Sequence, residues 1–231
     1  MASDRVIGAV SQIMDAILDK RFSPGDPLPP ETELAQWLGV SRPTMRESVR
    51  SLAERGVLRV VHGRGTFVAD PHTWKDPRSI ITWMSRNCSR RQLGIHLVET
   101  RRMIEVGASG LAAARRTDLQ IADMRQILDA YAQASAENDV ERATQLDLDF
   151  HNSIMSASGN PLLAALLDPL AEALLDSRRH TTEFPEVRKR AAGHHENIFA
   201  KIAANDPTAA KQAMRAHMDQ TRDDILTLLQ D

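Results

Sequence analysis

The stretch of sequence that decides the fold of the N-terminal part is SRPTMRESVRSLAERGVLRVVHGRGTFV, residues 41–68. Ser41 is a suitable N-cap for a helix that Gly56 would end, and apolar residues recur between them at helical spacing, at Met45, Val49 and Leu52. Two β-prone runs, 57–61 and 66–68, follow around a glycine-containing turn, which is the pattern of a β-hairpin. The stretch therefore predicts a helix followed directly by a two-stranded hairpin.

Two further helices are predicted before this stretch. Apolar residues at helical spacing predict a first helix at about 4–20, and the Pro- and Gly-containing run SPGDP, 23–27, ends it. Pro30 stands where a second helix would start, and Gly39 ends that helix. The order helix, helix, turn, helix and hairpin predicts a winged helix-turn-helix domain at residues 1–70.

Positive charge is concentrated in the same stretch. Residues 42–64 contain six arginines and two glutamates, whereas the whole chain has a net charge of −2. Arg42, Arg46 and Arg50 recur every four residues and therefore share one helix face. Arginine suits phosphates and guanine edges because its guanidinium is planar and bidentate, and Arg64 makes the hairpin tip basic. An ordinary solvated face is the alternative, but the coincidence with the helix-turn-helix pattern favours a DNA-binding surface.

The stretch from Phe22 to Val68 resembles the GntR family of bacterial regulators. The matching pieces are PGDPLP (24–29), ELA (33–35), GVSR (39–42), RE (46–47), Leu52, Gly56 and GRGTFV (63–68). The resemblance implies DNA contacts from the third helix and the wing, by Ser41, Arg42, Thr44, Arg46, His62 and Gly63. The chain departs from the family pattern at Pro30, usually Ser or Ala, and at Thr32, where many members have a DNA-contacting arginine. The second departure bears on the operator sequence.

The remaining two thirds of the chain are predicted to be helical. Hydrophobic residues make up 42% of the chain and aromatic residues only 4%, a composition that favours helix over sheet. Residues 71–84 are predicted as a connector and linking helix, and residues 85–231 as an antiparallel all-α bundle. Helices are predicted near 77–87, 92–115, 118–137, 139–158, 161–180, 186–204 and 207–229. The predicted fold class is therefore mostly α.

The sequence carries no sign of secretion or membrane insertion. The first ten residues lack a long apolar run, and no stretch approaches the roughly 20 apolar residues that span a bilayer. Cys88 is the single cysteine, which excludes a disulfide within the chain. We therefore expect a cytoplasmic protein with no membrane partner.

Four side chains with metal-binding chemistry fall on predicted inward faces. Asp147 and His151 are four residues apart on one helix, and His195 and His217 lie in line with apolar residues of two later helices. His194 is turned away from that face by about 100°. A bundle can bring such groups to one point, where they suit one divalent transition metal per chain, Zn, Ni, Mn or Fe. Satisfied core histidines are the alternative, and the residues alone leave both interpretations open.

Residues from about 92 to 229 resemble the helical, FCD-type ligand domain of the fatty-acid-regulator branch of GntR proteins. The matching pieces are ETRRMIE (99–105), Ala112-Ala113, D-x3-H (147–151), SGN (158–160), H-x2-I (195–198) and AM-x2-HM (213–218). The resemblance implies that a divalent metal is held by Asp147, His151, His195 and His217. It also implies that Arg101 meets a ligand carboxylate, for which its fork is suited. The alternative is an ion pair with Glu105, and Arg102 and Arg178 are further candidates for the pocket.

Together these features predict a DNA-binding transcriptional regulator that responds to a small organic acid. We expect a homodimer on a near-palindromic double-stranded operator, because dimer symmetry is mirrored in the DNA site. Repression is expected because most of the family are repressors. Trp74, Asp76 and the run IITW, 80–83, resemble a sub-branch that senses sugar acids. A purely structural metal is one alternative; a metal-dependent enzyme is another, although no nucleophile or general acid/base pair stands out.

Overall fold

The computed structural model describes residues 2–229, and the fold is mostly α-helical, as predicted. The chain divides into two compact units after Asn87. A small antiparallel sheet lies in the first unit, and the described residues of the second unit form helices and their connections. No described helix is both long and apolar enough to cross a membrane.

The first unit has the predicted order of helices and hairpin. Its elements are α1 (Ala2–Leu18), α2 (Glu31–Leu38), α3 (Arg42–Glu54), β1 (Leu58–Val61), β2 (Gly65–Val68), a short 3-10 turn (Pro71–Thr73) and α4 (Pro77–Asn87). The two strands pair antiparallel, with Leu58 opposite Val68 and Val61 opposite Gly65. The predicted winged helix-turn-helix is therefore confirmed.

Local sequence explains where these helices begin and end. Ser41 caps α3 as predicted, since its Oγ accepts a hydrogen bond from the backbone N–H of Thr44 at 3.3 Å. Gly39 ends α2 with a φ of 64°, a left-handed conformation that glycine adopts readily. The core beneath them includes Ile13, Leu34, Met45, Leu52, Val57 and Val68. Helix α4, part of the predicted connector, packs against this core through Ile80 and Trp83.

The second unit is a bundle of helices. Its helices are α5 (Arg90–Arg115), α6 (Asp118–Ala136), α7 (Val140–Ala157), α8 (Pro161–Leu167), α9 (Ala171–Thr182), α10 (Pro185–Ala203) and α11 (Pro207–Leu228). The single helix predicted at 161–180 is wrong, because a 3-10 turn at Asp168–Leu170 separates α8 from α9. Pro169 accounts for the break, since proline lacks the N–H of a helical hydrogen bond and its ring clashes with the preceding turn.

The bundle is organised around α5 and α11, which pack along one another. Glycines on α5 allow this approach: a Cβ on Gly110 would meet the Lys211 side chain, and a Cβ on Gly94 would lie 3.2 Å from Cγ2 of Ile225. The apolar core includes Val98, Met124, Phe150, Ile154, Ile198 and Met214. Polar groups of α5, α7, α9, α10 and α11 lie buried beside this core, and they form the candidate site.

Candidate functional site

Helix α3 presents its predicted DNA-binding face to solvent. Arg42, Arg46 and Arg50 are exposed, as is the N-cap Ser41, and Thr44 is half-buried. The opposite face is buried in the core of the first unit and consists of Met45, Val49 and Leu52. The N-terminal end of α3 is therefore free to approach base edges in a major groove.

The arginines of α3 differ in how they are held within the protein. Arg50 Nε lies 3.0 Å from Oε1 of Glu54 on the same helix. Arg46 Nε lies 3.6 Å from Oε2 of Glu31, and the Arg46 side chain is 75% exposed. Exposed ion pairs of this kind contribute at most about 1 kcal/mol, so a phosphate or a base can replace the carboxylate. Arg46 is nearer to the start of the helix and more loosely held.

The tip of the hairpin is thin and basic. His62, Gly63 and Arg64 are exposed between the two strands. Gly63 has a φ of 71° and Gly65 a φ of 109°, and glycine adopts these values without steric strain. Such a tip can approach a nucleic-acid backbone closely.

Three histidines meet in the interior of the second unit. His151 on α7, His195 on α10 and His217 on α11 are buried, and their ligand atoms lie within 4.8 Å of one another. The Nε2 atoms of His151 and His217 are 3.2 Å apart. Asp147, one turn before His151, places Oδ1 at 3.3 Å from Nε2 of His195. The four predicted metal-binding residues are therefore brought together.

The arrangement of these atoms fits a divalent metal. Metal–nitrogen bonds of about 2.0–2.1 Å place neighbouring ligand atoms about 3.0–3.4 Å apart. The distance between Nε2 of His151 and Nε2 of His217, 3.2 Å, and that between Asp147 and His195, 3.3 Å, fall in this range. Both ring nitrogens of His195 and Nδ1 of His217 are buried. None of them has a hydrogen-bond partner among the described residues. Buried polar atoms are normally satisfied, so unpaired imidazole nitrogens point to a further group.

Burial keeps the three imidazoles neutral. It lowers the pKa of His195 to about 3 and that of His217 well below its usual value, and it also lowers the pKa of His151 although Glu105 opposes the shift. Burial raises the pKa of Asp147, but Arg178 and the other nearby positive groups together outweigh it, and the pKa falls to about 2. Near neutral pH the site therefore offers neutral imidazoles and an ionised carboxylate, the forms that bind metals.

Arg101 takes part in two contacts at this site. Its Nε donates to Oε1 of Glu105 at 2.7 Å, so the ion pair considered as an alternative is present. Its Nη2 lies 3.1 Å from Nε2 of His151. The pairing with Glu105 therefore holds Arg101 at the histidine cluster.

Arg178 on α9 is a second buried guanidinium at the cluster. Its Nε donates to Oδ2 of Asp147 at 2.6 Å. Its Nη1 is buried and has no hydrogen-bond partner among the described residues. A buried donor of this kind is suited to an anion or to water.

A cavity of about 40 Å³ lies beside these groups. Its walls include Arg101, Tyr131, Asp147, Arg178, His217 and Thr221. This volume is enough for a few water molecules. Larger ligands therefore need the walls to move.

The structure does not bring Arg102, which was predicted as a ligand-binding residue, to the histidine cluster. Its Nε donates to Oδ1 of Asp219 at 3.1 Å on the surface, and its side chain is 43% exposed. Successive helical residues point about 100° apart, so Arg102 faces outward where Arg101 faces inward.

Comparison with known proteins identifies both parts of the chain. Residues 8–68 match the family described as bacterial regulatory proteins, gntR family, and residues 96–220 match the FCD domain. The chain belongs to the GntR family. Both resemblances inferred from the sequence are therefore confirmed, and the protein is a DNA-binding transcriptional regulator rather than an enzyme.

Individual relatives of this GntR-family chain extend over most of its length. It is 30% identical over 221 residues to a candidate regulatory protein of the L-lactate dehydrogenase operon from Escherichia coli (strain K12), covering 94% of this chain and 83% of that protein. It is 28% identical to the galactonate operon transcriptional repressor of the same organism, covering 91% of each. Among solved structures, Streptococcus agalactiae GntR is 28% identical, with a TM-score of 0.53, 94% coverage of this chain and 99% of that one.

Some residues at the site of this GntR-family protein were not predicted as functional. Glu105 was considered only as an ion-pair partner of Arg101, yet it also lies 2.6 Å from Nδ1 of His151. Its i,i+4 spacing from Arg101 was the available signal. Tyr131 and Thr221 line the cavity, and no local pattern marks them, because they come from helices distant in sequence.

Proposed function

We propose that this GntR-family regulator is a repressor whose affinity for its operator is controlled by a small carboxylic acid. The acid also carries a hydroxyl group, as sugar acids do. The acid binds in the FCD domain beside one divalent transition metal per chain, Zn, Ni, Mn or Fe. The metal would be held by Asp147, His151, His195 and His217. The observation that carries the proposal is a cluster of three neutral histidines beside a cavity that one of them, His217, lines together with the buried Arg101 and Arg178.

The charges of the site favour an anion once a metal is bound. The guanidinium groups of Arg101 and Arg178 are balanced by the carboxylates of Glu105 and Asp147. The three histidines are kept neutral by burial. A divalent metal therefore adds two positive charges to a balanced interior, and an uncompensated buried charge is costly. A carboxylate offsets this charge, and the unpaired Nη1 of Arg178 supplies a donor for it.

The size of the cavity supports a conformational effect of the acid. A space of about 40 Å³ accommodates a few waters and not a whole sugar acid. Acid binding must then select a wider arrangement of the surrounding helices. A ligand changes the affinity for DNA only if it binds one conformation better than another, and this requirement is met by a cavity that has to open.

The names of two relatives support a hydroxy acid. One relative is associated with an L-lactate dehydrogenase operon and another with a galactonate operon. Lactate and galactonate both carry a hydroxyl group next to the carboxylate. Such a pair of oxygens can occupy metal positions that the protein leaves open, while an arginine binds the carboxylate.

The proposed assembly is a cytoplasmic homodimer that reads a near-palindromic operator. The exposed basic face of α3 and the tip of the wing supply the contacts, by Ser41, Arg42, Thr44, Arg46, Arg50, His62, Gly63 and Arg64. A two-fold operator would place two copies of α3 in successive major grooves.

The proposal is tested by measuring DNA affinity with and without acids. An operator is first selected from a random DNA pool, and binding of the zinc-loaded protein is followed by fluorescence anisotropy. L-lactate, D-galactonate, a uronate and citrate are then added in turn. We expect one of them to weaken DNA binding by about 5- to 150-fold, the usual range of allosteric coupling.

Neighbouring arginines provide a matched pair of variants. Arg101→Gln should bind the operator normally and lose the response to the acid, because its guanidinium lies at the cluster. Arg102→Gln should keep the response, because that side chain points outward. If the zinc-loaded protein binds DNA and no acid of this panel alters the affinity, acid sensing is refuted and a structural metal is favoured.

A further inference from the structure

A single carboxylate, Glu105 on α5, contacts both the histidine cluster and an arginine. Glu105 is 2% exposed. Its Oε1 accepts a hydrogen bond from Nε of Arg101 at 2.7 Å. Its Oε2 lies 2.6 Å from Nδ1 of His151, an ion-pair contact, although neither atom has a hydrogen bond of acceptable geometry among the described residues. Each oxygen of one buried carboxylate thus faces a different functional side chain.

The surroundings of His151 determine which of its nitrogens carries the proton. A neutral imidazole has one N–H, on Nδ1 or on Nε2. Nδ1 faces the carboxylate of Glu105, which can only accept a hydrogen bond. Nε2 faces Nη2 of Arg101 at 3.1 Å, and a guanidinium can only donate. A proton on Nε2 would set two donors against each other, so both neighbours favour the proton on Nδ1.

This tautomer is the one that a metal at the cluster requires. With the proton on Nδ1, the lone pair lies on Nε2, where Nη2 of Arg101 contacts it and where a metal would take the place of that contact. Nε2 is also the atom that lies 3.2 Å from Nε2 of His217. We propose that Glu105 is a positioning residue that holds His151 in the metal-binding tautomer and holds Arg101 at the edge of the same site. This inference rests on the metal site of the proposed function.

Nδ1 of His151 differs from Nδ1 of His195 and Nδ1 of His217 in having a carboxylate oxygen at 2.6 Å. None of the three atoms has a hydrogen bond of acceptable geometry among the described residues. The ion pair between Oε1 of Glu105 and Nε of Arg101, at 2.7 Å, favours the charged carboxylate, which can only accept hydrogen bonds. Replacing a carboxylate that accepts a hydrogen bond from a metal-bound histidine commonly weakens metal affinity by 10- to 100-fold. Glu105 is the carboxylate at Nδ1 of His151.

The tautomer itself is the first measurement. Full-length protein labelled with ¹⁵N-histidine is stripped of metal, and long-range ¹H–¹⁵N spectra of its imidazoles are recorded. The signals of His151 are assigned by their loss in His151→Gln. We expect a protonated Nδ1 and an unprotonated Nε2 in the wild-type protein. A proton on Nε2 would overturn the proposal without the need for any Glu105 variant.

Zinc affinity is the second measurement, by competition with a chromogenic chelator. Glu105→Gln keeps the size of the side chain but offers only one accepting oxygen for two donors. We expect zinc binding to weaken by about 10- to 100-fold and His151 to become a mixture of tautomers. Glu99→Gln is the matched control, because Glu99 is exposed on the same helix, and its zinc affinity should equal that of the wild type.

The outcomes distinguish a failure of the metal site from a failure of the role of Glu105. Wild-type protein that binds no zinc would overturn the metal site of the proposed function, and the role of Glu105 with it. Wild type and Glu105→Gln that bind zinc equally would overturn only the role of Glu105. If Glu105→Gln does not fold, the tautomer of His151 measured in the wild-type protein decides whether the role of Glu105 stands.

Discussion

The adjacent residues His194 and His195 show how strongly a single position on a helix determines chemistry. His195 is fully buried among the candidate metal ligands, whereas His194, the preceding residue, is only partly buried. Successive residues point about 100° apart, so only one of the two can face the centre of the bundle. The same rule separates Arg101 from Arg102.

The first prediction concerns metal content. Purified wild-type protein and His194→Ala should each contain about one divalent metal per chain, and His195→Ala should lose it, because a site with one ligand missing binds far more weakly. Elemental analysis of the three proteins gives the answer. Equal metal in His195→Ala would show that this histidine is not a ligand.

The second prediction concerns the recognition helix. Arg46→Ala should weaken operator binding by about 5- to 150-fold, the cost of losing one good base contact of about 1–3 kcal/mol. Arg50→Ala should have a smaller effect, because Arg50 lies a turn further along α3 and is paired with Glu54 at 3.0 Å. Anisotropy titrations test both, with metal content as the folding control. If Arg50→Ala loses more operator affinity than Arg46→Ala, the N-terminal end of α3 is not the part that reads the bases.

At the scale of elements, turns with left-handed glycines join the pieces of the DNA-binding unit. Gly56 connects α3 to β1 with a φ of 79°, and a Cβ there would lie 3.1 Å from the backbone nitrogen of Lys75. Gly39 ends α2 with a φ of 64°, and a Cβ there would meet nothing within 4 Å. Both glycines therefore have a left-handed backbone conformation, but only at Gly56 would an added Cβ crowd a neighbouring atom.

The third prediction uses this difference. Gly39→Ala should lower the free energy of unfolding by about 1 kcal/mol, the cost of a left-handed conformation. Gly56→Ala should cost about 2 kcal/mol or more, because the backbone near Lys75 must also move. All three tryptophans lie in the first unit, at positions 37, 74 and 83, so urea unfolding followed by tryptophan fluorescence reports on that unit. Equal losses of unfolding free energy in the two variants would show that the backbone near Lys75 moves away from the new Cβ at position 56 at no cost.

At the scale of the whole molecule, the two units should respond differently to acid. The second unit buries His151, His195 and His217, and burial lowers the pKa of each. The first unit has two histidines, His62 and His72, and both are exposed. Protons therefore bind more readily to the unfolded than to the folded second unit below about pH 6.5, and stability falls as the pH falls.

The fourth prediction gives this effect a size. In EDTA-treated protein, each buried histidine should lower the free energy of unfolding of the second unit by up to about 1.4 kcal/mol per pH unit below pH 6.5. Asp147 adds to the loss only near pH 4 and below, because its pKa is lowered to about 2. Urea unfolding at pH 7.5 and 5.5, followed by circular dichroism and by tryptophan fluorescence, compares the units. Equal shifts in both signals would contradict the prediction.

The fold of this protein followed from local signals. The cap at Ser41, the turn glycines and the apolar spacing of α3 act within a few residues, and so do the breaks between the bundle helices. Pro169 is an ambiguous local signal, because proline breaks the interior of a helix but is tolerated in the first turn of one. The helix predicted at 161–180 was divided for this reason.

The sequence by itself determined the fold class, the family, the exposed basic face of α3 and the inward positions of Asp147, His151, His195 and His217, because helical periodicity assigns each residue to a face. Only the tertiary structure decided which groups meet. The pairing of Arg178 with Asp147, the double contact of Glu105 and the cavity beside them depend on how α5, α7, α9, α10 and α11 pack. Contacts between residues far apart in the chain are set by the burial of the whole core, which no local pattern specifies.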